Sequence, residues 1–458
     1  MRIMKKMCFA VVLMVQVLLL VSCSGDDYLN AIPAKSTALL SLDLQKMQEE
    51  GTLPANNNVL ESLLQIDHVE ESGIDASERI FLFETMDGNL GLCAKVADRD
   101  ALSACLSQLA KKHVCSPLTE RKGFSFTVLN QVWLVGLSDK ALLVMGPVVA
   151  EAQPELQRQM VRYLNADEDA GVKSSKLFAR LDSIAAPMSM VAQAQALPEK
   201  LVAPFTLGAP KDADASQVVV AAKMSVDKGI LHMEGETFSF NKSIDQALHK
   251  AFATYRPIGK TYLASMSDAD LAAIFVNVDG TQFLPQVQNN QSLQTMLLGI
   301  NTAIDMDNII RSVDGNMAIV LPTMDTGNTQ MKMAAQLKHA NWLADVDYWK
   351  KSCPKGGSIT DQGKNTYCYT DGKMNFYFGV SSDLQFFAGG NALSAQQAIQ
   401  KAVHPIDSQV QQMVEGQKMA MVIHIPQAKE GDKDALAVAN RLLAPLFGQL
   451  HTMVYTMK

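Results

Sequence analysis

The residue with the most specific chemical setting is Cys23. It ends the tetrapeptide Leu20-Val21-Ser22-Cys23, which closes an apolar run from Met7 to Val21 interrupted only by Gln16. Arg2, Lys5 and Lys6 precede the run. A run of this length is too short to cross a bilayer, which takes about 20 residues. Its length and basic flank are those of a signal-peptide core, and Ser22 supplies the small residue before a cleavage point. Two other cysteines, Cys353 and Cys368, bracket the glycine-containing stretch Lys355 to Gly363 and form a candidate disulfide. Closing such a loop would add about 3 kcal/mol. Two reduced thiols are the alternative.

Three other segments carry only fragments of chemical motifs. Gly259-Lys260-Thr261 has the end of a phosphate-binding loop, but Thr254 stands where its first glycine belongs. Asp305-Met306-Asp307-Asn308 begins like a calcium loop, yet Ile310 replaces the required glycine, so a helix or turn start is the expectation. Asp167-Glu168-Asp169 reads as a solvated turn. The eight histidines form no His-Glu-x-x-His helix, and no Gly-x-Ser-x-Gly elbow is present. No catalytic, cofactor-binding or metal-binding residue is therefore assigned, and no cofactor is expected.

The N-terminal pattern resembles bacterial lipoprotein signals. That resemblance implies lipidation of the Cys23 thiol, cleavage before Cys23 and acylation of the new amino terminus. More than one acyl chain gives stable anchoring to a membrane. Ser24, rather than Asp, follows the cysteine, which by the same resemblance favours the outer membrane. Asp26 and Asp27 resemble the signal that exports Bacteroidetes lipoproteins to the cell surface. Surface display is thus the expectation and the periplasmic face the alternative. Asp182-Ser183-Ile184 resembles the short O-glycosylation signal of such envelope proteins, with Ser183 as acceptor.

Composition agrees with a folded body. The chain has 458 residues, 48% hydrophobic and 19% charged. Its formal net charge is −7, and it becomes about −10 once Arg2, Lys5 and Lys6 are removed. An acidic protein is poorly suited to nucleic acid, so none is expected as a partner. The methionines, 25 in number, are dispersed, which suits gap-filling in cores better than a focused surface.

The elements that carry these residues are expected to come twice, by four short matches in the same order. Tyr28-Leu29 leads to Leu39–Leu44 as Tyr262-Leu263 leads to Ala273–Val278. Asp87–Leu92 resembles Asp314–Ile319. Gly136–Gly146 resembles Gly379–Gly389, and Met188–Val191 resembles Met419–Val422. The offsets all lie near 230 residues. Asp87-Gly88, Asp314-Gly315 and Asp371-Gly372 are expected hairpin turns, because Asp-Gly tolerates the positive φ those turns need. Asp98 can cap a helix to about Lys112 whose apolar face is Leu102, Cys105, Leu106 and Leu109. Helices are also expected around Leu156–Leu164, Ala395–Val403 and Asp434–Leu443.

Runs of antiparallel strands with helices between the runs define an α+β fold. The expected organisation is a signal peptide (1–22), a lipid anchor and linker (23–36), and two related tandem units (37–258 and 259–458). Each unit is an antiparallel sheet with helices packed on one face. Arg256-Pro257-Ile258-Gly259 marks the boundary. The first unit carries an extra hairpin over Val218–Phe240, turning at Asp227-Lys228-Gly229.

Taken together, Cys23, the acidic pair, Asn30-Ala31-Ile32-Pro33-Ala34 leading into Thr37–Leu44, and Gly73-Ile74-Asp75 before Ile80–Glu84 resemble an uncharacterised Bacteroidetes lipoprotein family known only as a domain of unknown function. The resemblance implies a location, not an activity. The function expected is a non-enzymatic outer-membrane protein that meets the membrane through its lipid and binds a ligand or envelope protein. An envelope hydrolase with dispersed residues and a scaffold subunit of an outer-membrane complex are the alternatives.

Overall fold

A computed structural model describes residues 25–51, 72–197, 199–322, 331–425, 444 and 447–458. Cys23 and its apolar run, and the helix expected over 434–443, lie outside the described residues. Contacts divide the chain into two compact units. The first comprises residues 1–45 and 58–182, the second residues 46–57 and 183–458. Helices and strands are mixed in both.

In the first unit the strands are β1 (Ala38–Leu42), β2 (Ile80–Glu84), β3 (Leu90–Lys95), β4 (Thr119–Arg121), β5 (Phe124–Leu129), β6 (Trp133–Leu137) and β7 (Ala141–Gly146). They pair antiparallel in the order β1-β2-β3-β7-β6-β5-β4. Local turn chemistry fixes the hairpins. Gly88 turns β2 into β3 at φ 76°, and Asn130 and Gln131 turn β5 into β6 at φ 48° and 66°. Ser138 Oγ accepts from the Lys140 and Ala141 amides, shaping the β6–β7 turn. The short, charged strand β4 blunts its edge of the sheet.

Helix Arg99–Lys111 follows β3. The Asp98 carboxylate accepts from the Asp100 and Ala101 amides, satisfying two of the donors a helix start leaves open. Leu102, Cys105, Leu106 and Leu109 are all buried, as the spacing predicts. Each leucine contributes up to about 1.5–3 kcal/mol by leaving water. Gly73 makes the cap possible. Its φ is 74°, and a Cβ there would stand 2.2 Å from the Asp98 carbonyl oxygen.

The second unit holds β8 (Met188–Gln193), β9 (Val219–Asp227), β10 (Ile230–Phe238), β11 (Ala272–Asp279), β12 (Val313–Leu321), β13 (Lys332–Leu337), β14 (Ser358–Gly363), β15 (Thr366–Thr370), β16 (Asn375–Val380), β17 (Gln385–Gly389), β18 (Met419–His424) and β19 (Thr452–Met457). The order is β8-β9-β10-β19-β18-β11-β12-β13-β17-β16-β15-β14. Strands β11 to β17 therefore pair as β1 to β7 do: first, second, third, seventh, sixth, fifth, fourth. The hairpin β9–β10 turns at Lys228 and Gly229, φ 48° and 79°. Trp342 is fully buried, stacked on Trp349 at 5.9 Å between centroids and edge-on to Phe386 at 6.2 Å.

Several expectations are corrected. The second sheet is not wholly antiparallel, because β10 pairs with β19 in parallel. A parallel pair needs a crossover rather than a hairpin, and the long chain between these strands supplies it. Asp314-Gly315 is no hairpin turn. It lies inside β12, where the register with β13 shifts between Val313 and Met317 and Gly315 takes φ 145°. Its resemblance to Asp87-Gly88 thus matches a turn to a bulge, whereas strand order matches β3 with β13. The helix expected over 395–403 spans Ala392–Gln397.

The break in contacts falls after Asp182, not at 258/259. Arg256–Gly259 is tied into the second unit: the Ile258 amide donates to Gln417 O, and the Gly259 amide to Asn316 Oδ1 at 2.6 Å. Proline and glycine here shape a packed strap rather than a linker.

Candidate functional site

In the second unit, charge is buried where β11 begins. Asp270 closes a tight turn. Its amide donates to Ser267 O, and its Oδ2 accepts from the Ser267 amide at 2.7 Å. Lys332 opens β13 opposite Val320 of β12. Its Nζ donates to Asp270 Oδ1 at 3.0 Å and Oδ2 at 2.7 Å. The two side chains are only 9% and 7% exposed. His424, the last residue of β18, donates from Nδ1 to the Asp270 carbonyl at 2.5 Å. A carbonyl only accepts, so Nδ1 is the donor in this contact.

Chemically, this arrangement is a tie. The Asp270 oxygens are occupied by Lys332 and Ser267, and the Lys332 ammonium by the carboxylate. The pair cross-links the lead-in to β11 with the start of β13, and His424 adds β18. Neither partner stands out in the sequence, since 62 positions separate them. The available signal is a lysine inside the apolar segment Met331-Lys332-Met333-Ala334-Ala335, because charged residues are seldom buried without a partner.

In the first unit, the described chain starts at Gly25 and turns into the core within a few residues. Asp27–Ala31 form a 3-10 turn in which Tyr28 and Leu29 are buried. The Tyr28 hydroxyl donates to Arg79 O at 2.8 Å, and the Cys93 thiol to Tyr28 O at 3.4 Å. Burial raises the pKa of both groups well above their ordinary values. Ion pairs surround the point of emergence. Lys95 reaches Asp75 at 3.0 Å and Glu78 at 3.1 Å, and its Nζ lies beside Gly25. Lys140 meets Asp27 at 2.6 Å, and Arg99 meets Asp139 at 2.9 Å. The Asp75 carboxyl is held low by the Ser77 hydroxyl first and by Lys95 as well.

The residues singled out in the sequence are not brought together. Cys23 lies outside the described residues. Ser183 is exposed in the turn after helix Lys176–Asp182, and neighbouring Asp182 pairs with Arg79 at 2.7 Å. Cys353 and Cys368 are free thiols, not a disulfide. Cys368 is buried in β15 with its thiol toward Tyr369 O, whereas half-buried Cys353 ends helix Val346–Ser352. Asp305 caps helix Met306–Arg311 through the Asn308 amide. Among the described residues, no group of three or more His, Cys, Asp or Glu side chains is placed to hold a metal ion, and no helix is long and apolar enough to cross a membrane.

Residues 35–413 match the family described as Domain of unknown function (DUF4836). No curated protein matches the chain. Two solved structures, of crystal forms III and I of TP0453, each align over 81% of this chain and 96% of their own, with 7% and 9% identity and TM-scores of 0.25 and 0.22. Likeness at that level carries no argument about fold or function.

Proposed function

This chain belongs to the DUF4836 family, and on that premise we propose that it is a lipid-anchored outer-membrane protein that acts by binding rather than by catalysis. The observation that carries the anchor is the placement of Cys23. It closes an apolar run behind Arg2, Lys5 and Lys6 and stands five residues before Tyr28, the first residue sunk into a folded core. The apolar run thus ends where the folded body begins, and cleavage before Cys23 would spare every described residue.

Binding rather than catalysis is favoured by how the buried charges are used. Lys332 and Asp270 neutralise each other and hold strands together. We read the shared strand order of β1–β7 and β11–β17 as the mark of an internal duplication. It is supported by Tyr28 and Tyr262, both buried at the start of their runs. Display on the cell surface, and glycosylation at exposed Ser183, belong to the same reading.

Mass spectrometry of the mature amino terminus tests the anchor. A diacylated or triacylated Cys23, lost together with membrane fractionation in Cys23→Ala, is the expected result. An unmodified Cys23 thiol in mature protein would overturn it. Protease treatment of intact cells distinguishes surface from periplasmic display.

A further inference from the structure

We infer that the first unit rests directly on the lipid headgroups, through the end of its sheet that carries Lys95, the 138–140 turn and Arg99. The inference depends on acylation of Cys23 as proposed above and adds which face meets the bilayer. Its basis is the length of the tether. Four residues, Ser24 to Asp27, lie between Cys23 and buried Tyr28. Even fully extended, the chain from Cys23 to Tyr28 would reach at most about 17 Å, and Asp27 already lies in a 3-10 turn. The headgroup layer of one leaflet takes up roughly 5–7 Å of that. The remaining gap is at most about 10 Å, close to one Debye length at physiological salt and too narrow for another domain.

The register identifies the face. Lys95 ends β3 opposite Ala141, which starts β7, so the β6–β7 turn at 138–140 stands beside Lys95. Lys140 reaches Asp27 in the entering chain, and Arg99 joins Asp139 in the same turn. Lys95, Lys140 and Arg99 are all paired with carboxylates. A face of neutralised ion pairs suits zwitterionic headgroups. Helix Arg99–Lys111 begins at this face and places Lys111 about 18 Å along its axis from Arg99.

Lysine acetylation footprinting tests this with the acylated protein in vesicles of the zwitterionic lipids phosphatidylethanolamine and phosphatidylcholine. The reference is the same chain begun at Ser24, in solution. Lys140, whose side chain is 63% exposed, is the reporter, and exposed Lys111 is the control. Labelling of Lys140 is expected to fall severalfold on vesicles because headgroups seated against this face exclude the reagent. Lys111 should keep its rate. If the protein floats with vesicles but Lys140 reacts as fast as in solution, or Lys111 is shielded equally, this seating is wrong while the anchor stands. If the protein does not float, anchor and seating fall together.

Discussion

Replacing Lys332 with methionine tests whether the buried ion pair ties the second unit together. The substitution nearly conserves side-chain length, so the main loss is the ammonium. Asp270 would keep the Ser267 amide at 2.7 Å but lose both contacts to Nζ while only 7% exposed. Stranding one partner of a buried pair costs about 3–5 kcal/mol. For a unit of this size each kcal/mol moves Tm by about 2 °C, so the melting point should drop about 6–10 °C. Two of the three tryptophans, Trp342 and Trp349, lie in this unit and Trp133 in the other. Fluorescence in a Trp133→Phe background therefore follows the relevant transition alone. The double variant Lys332→Met/Asp270→Leu removes both charges and should recover most of the loss, since apolar replacement of a buried pair is often neutral. A shift below about 2 °C in Lys332→Met, or a double variant no better than the single one, would refute the tie. Added salt should matter little, because buried pairs are weakly screened.

Other outcomes follow from single sites. His232 bonds Thr456 Oγ1 at 2.9 Å, and burial first of all depresses its pKa below the usual 6.5, outweighing the opposing pull of Glu234. Its contribution to stability is therefore complete above about pH 6.5 and is lost as pH falls through the depressed value. Thermal melts at pH 7.5 and 5 should differ less in His232→Gln than in the parent, and an unchanged difference would exclude the residue. Gly73→Ala should destabilise the first unit by at least about 2 kcal/mol, through positive φ and collision with the Asp98 carbonyl. Calorimetry showing no shift of that unit's transition would contradict the fold's account of the cap. In protein begun at Ser24, Ellman's reagent should count five thiols after denaturation, with Cys353 the first to react in the native state. A count of three would restore a disulfide.

Local patterns in this chain were legible where local physics decides the outcome. Asp98 with its four apolar partners, the Lys228-Gly229 hairpin and the consecutive strands β6 and β7 all depend on residues close in sequence. Asp314-Gly315 carries the same local signal as Asp87-Gly88, yet it sits in a ladder with β11 and β13 on either side. Pairing on both flanks outweighed its preference for a turn and left the glycine to accommodate a bulge. Arg256–Gly259 misled for a related reason. Its breakers are real, but their polar groups are bonded to residues about 60 and 160 positions downstream, Asn316 and Gln417. The lysine in its apolar segment hinted at a buried charge, but its partner Asp270 was not legible, because periodicity says which face a residue occupies and nothing about which distant residue shares it.

The two similar strand runs diverge at this tie. By the register of the β1–β2–β3 and β11–β12–β13 ladders, Phe83 stands where Val320 stands in the other run, and Gly91 where Lys332 stands. Ser36 occupies the position corresponding to Asp270. In the first unit a Cβ on Gly91 would come within 2.1 Å of the Phe83 ring, so the aromatic covers the glycine and fills the space. In the second unit the smaller Val320 leaves room for a long side chain, and Lys332 crosses it to reach a carboxylate. One run thus closes its sheet with apolar volume and the other with charge. Apolar packing alone evidently suffices to hold this strand arrangement, so the buried ions are not a requirement of the topology. Their retention in the second unit alone points to a demand particular to that unit: a fixed register where β11, β13 and β18 converge, which a directional, bidentate contact enforces more strictly than hydrophobic contact does.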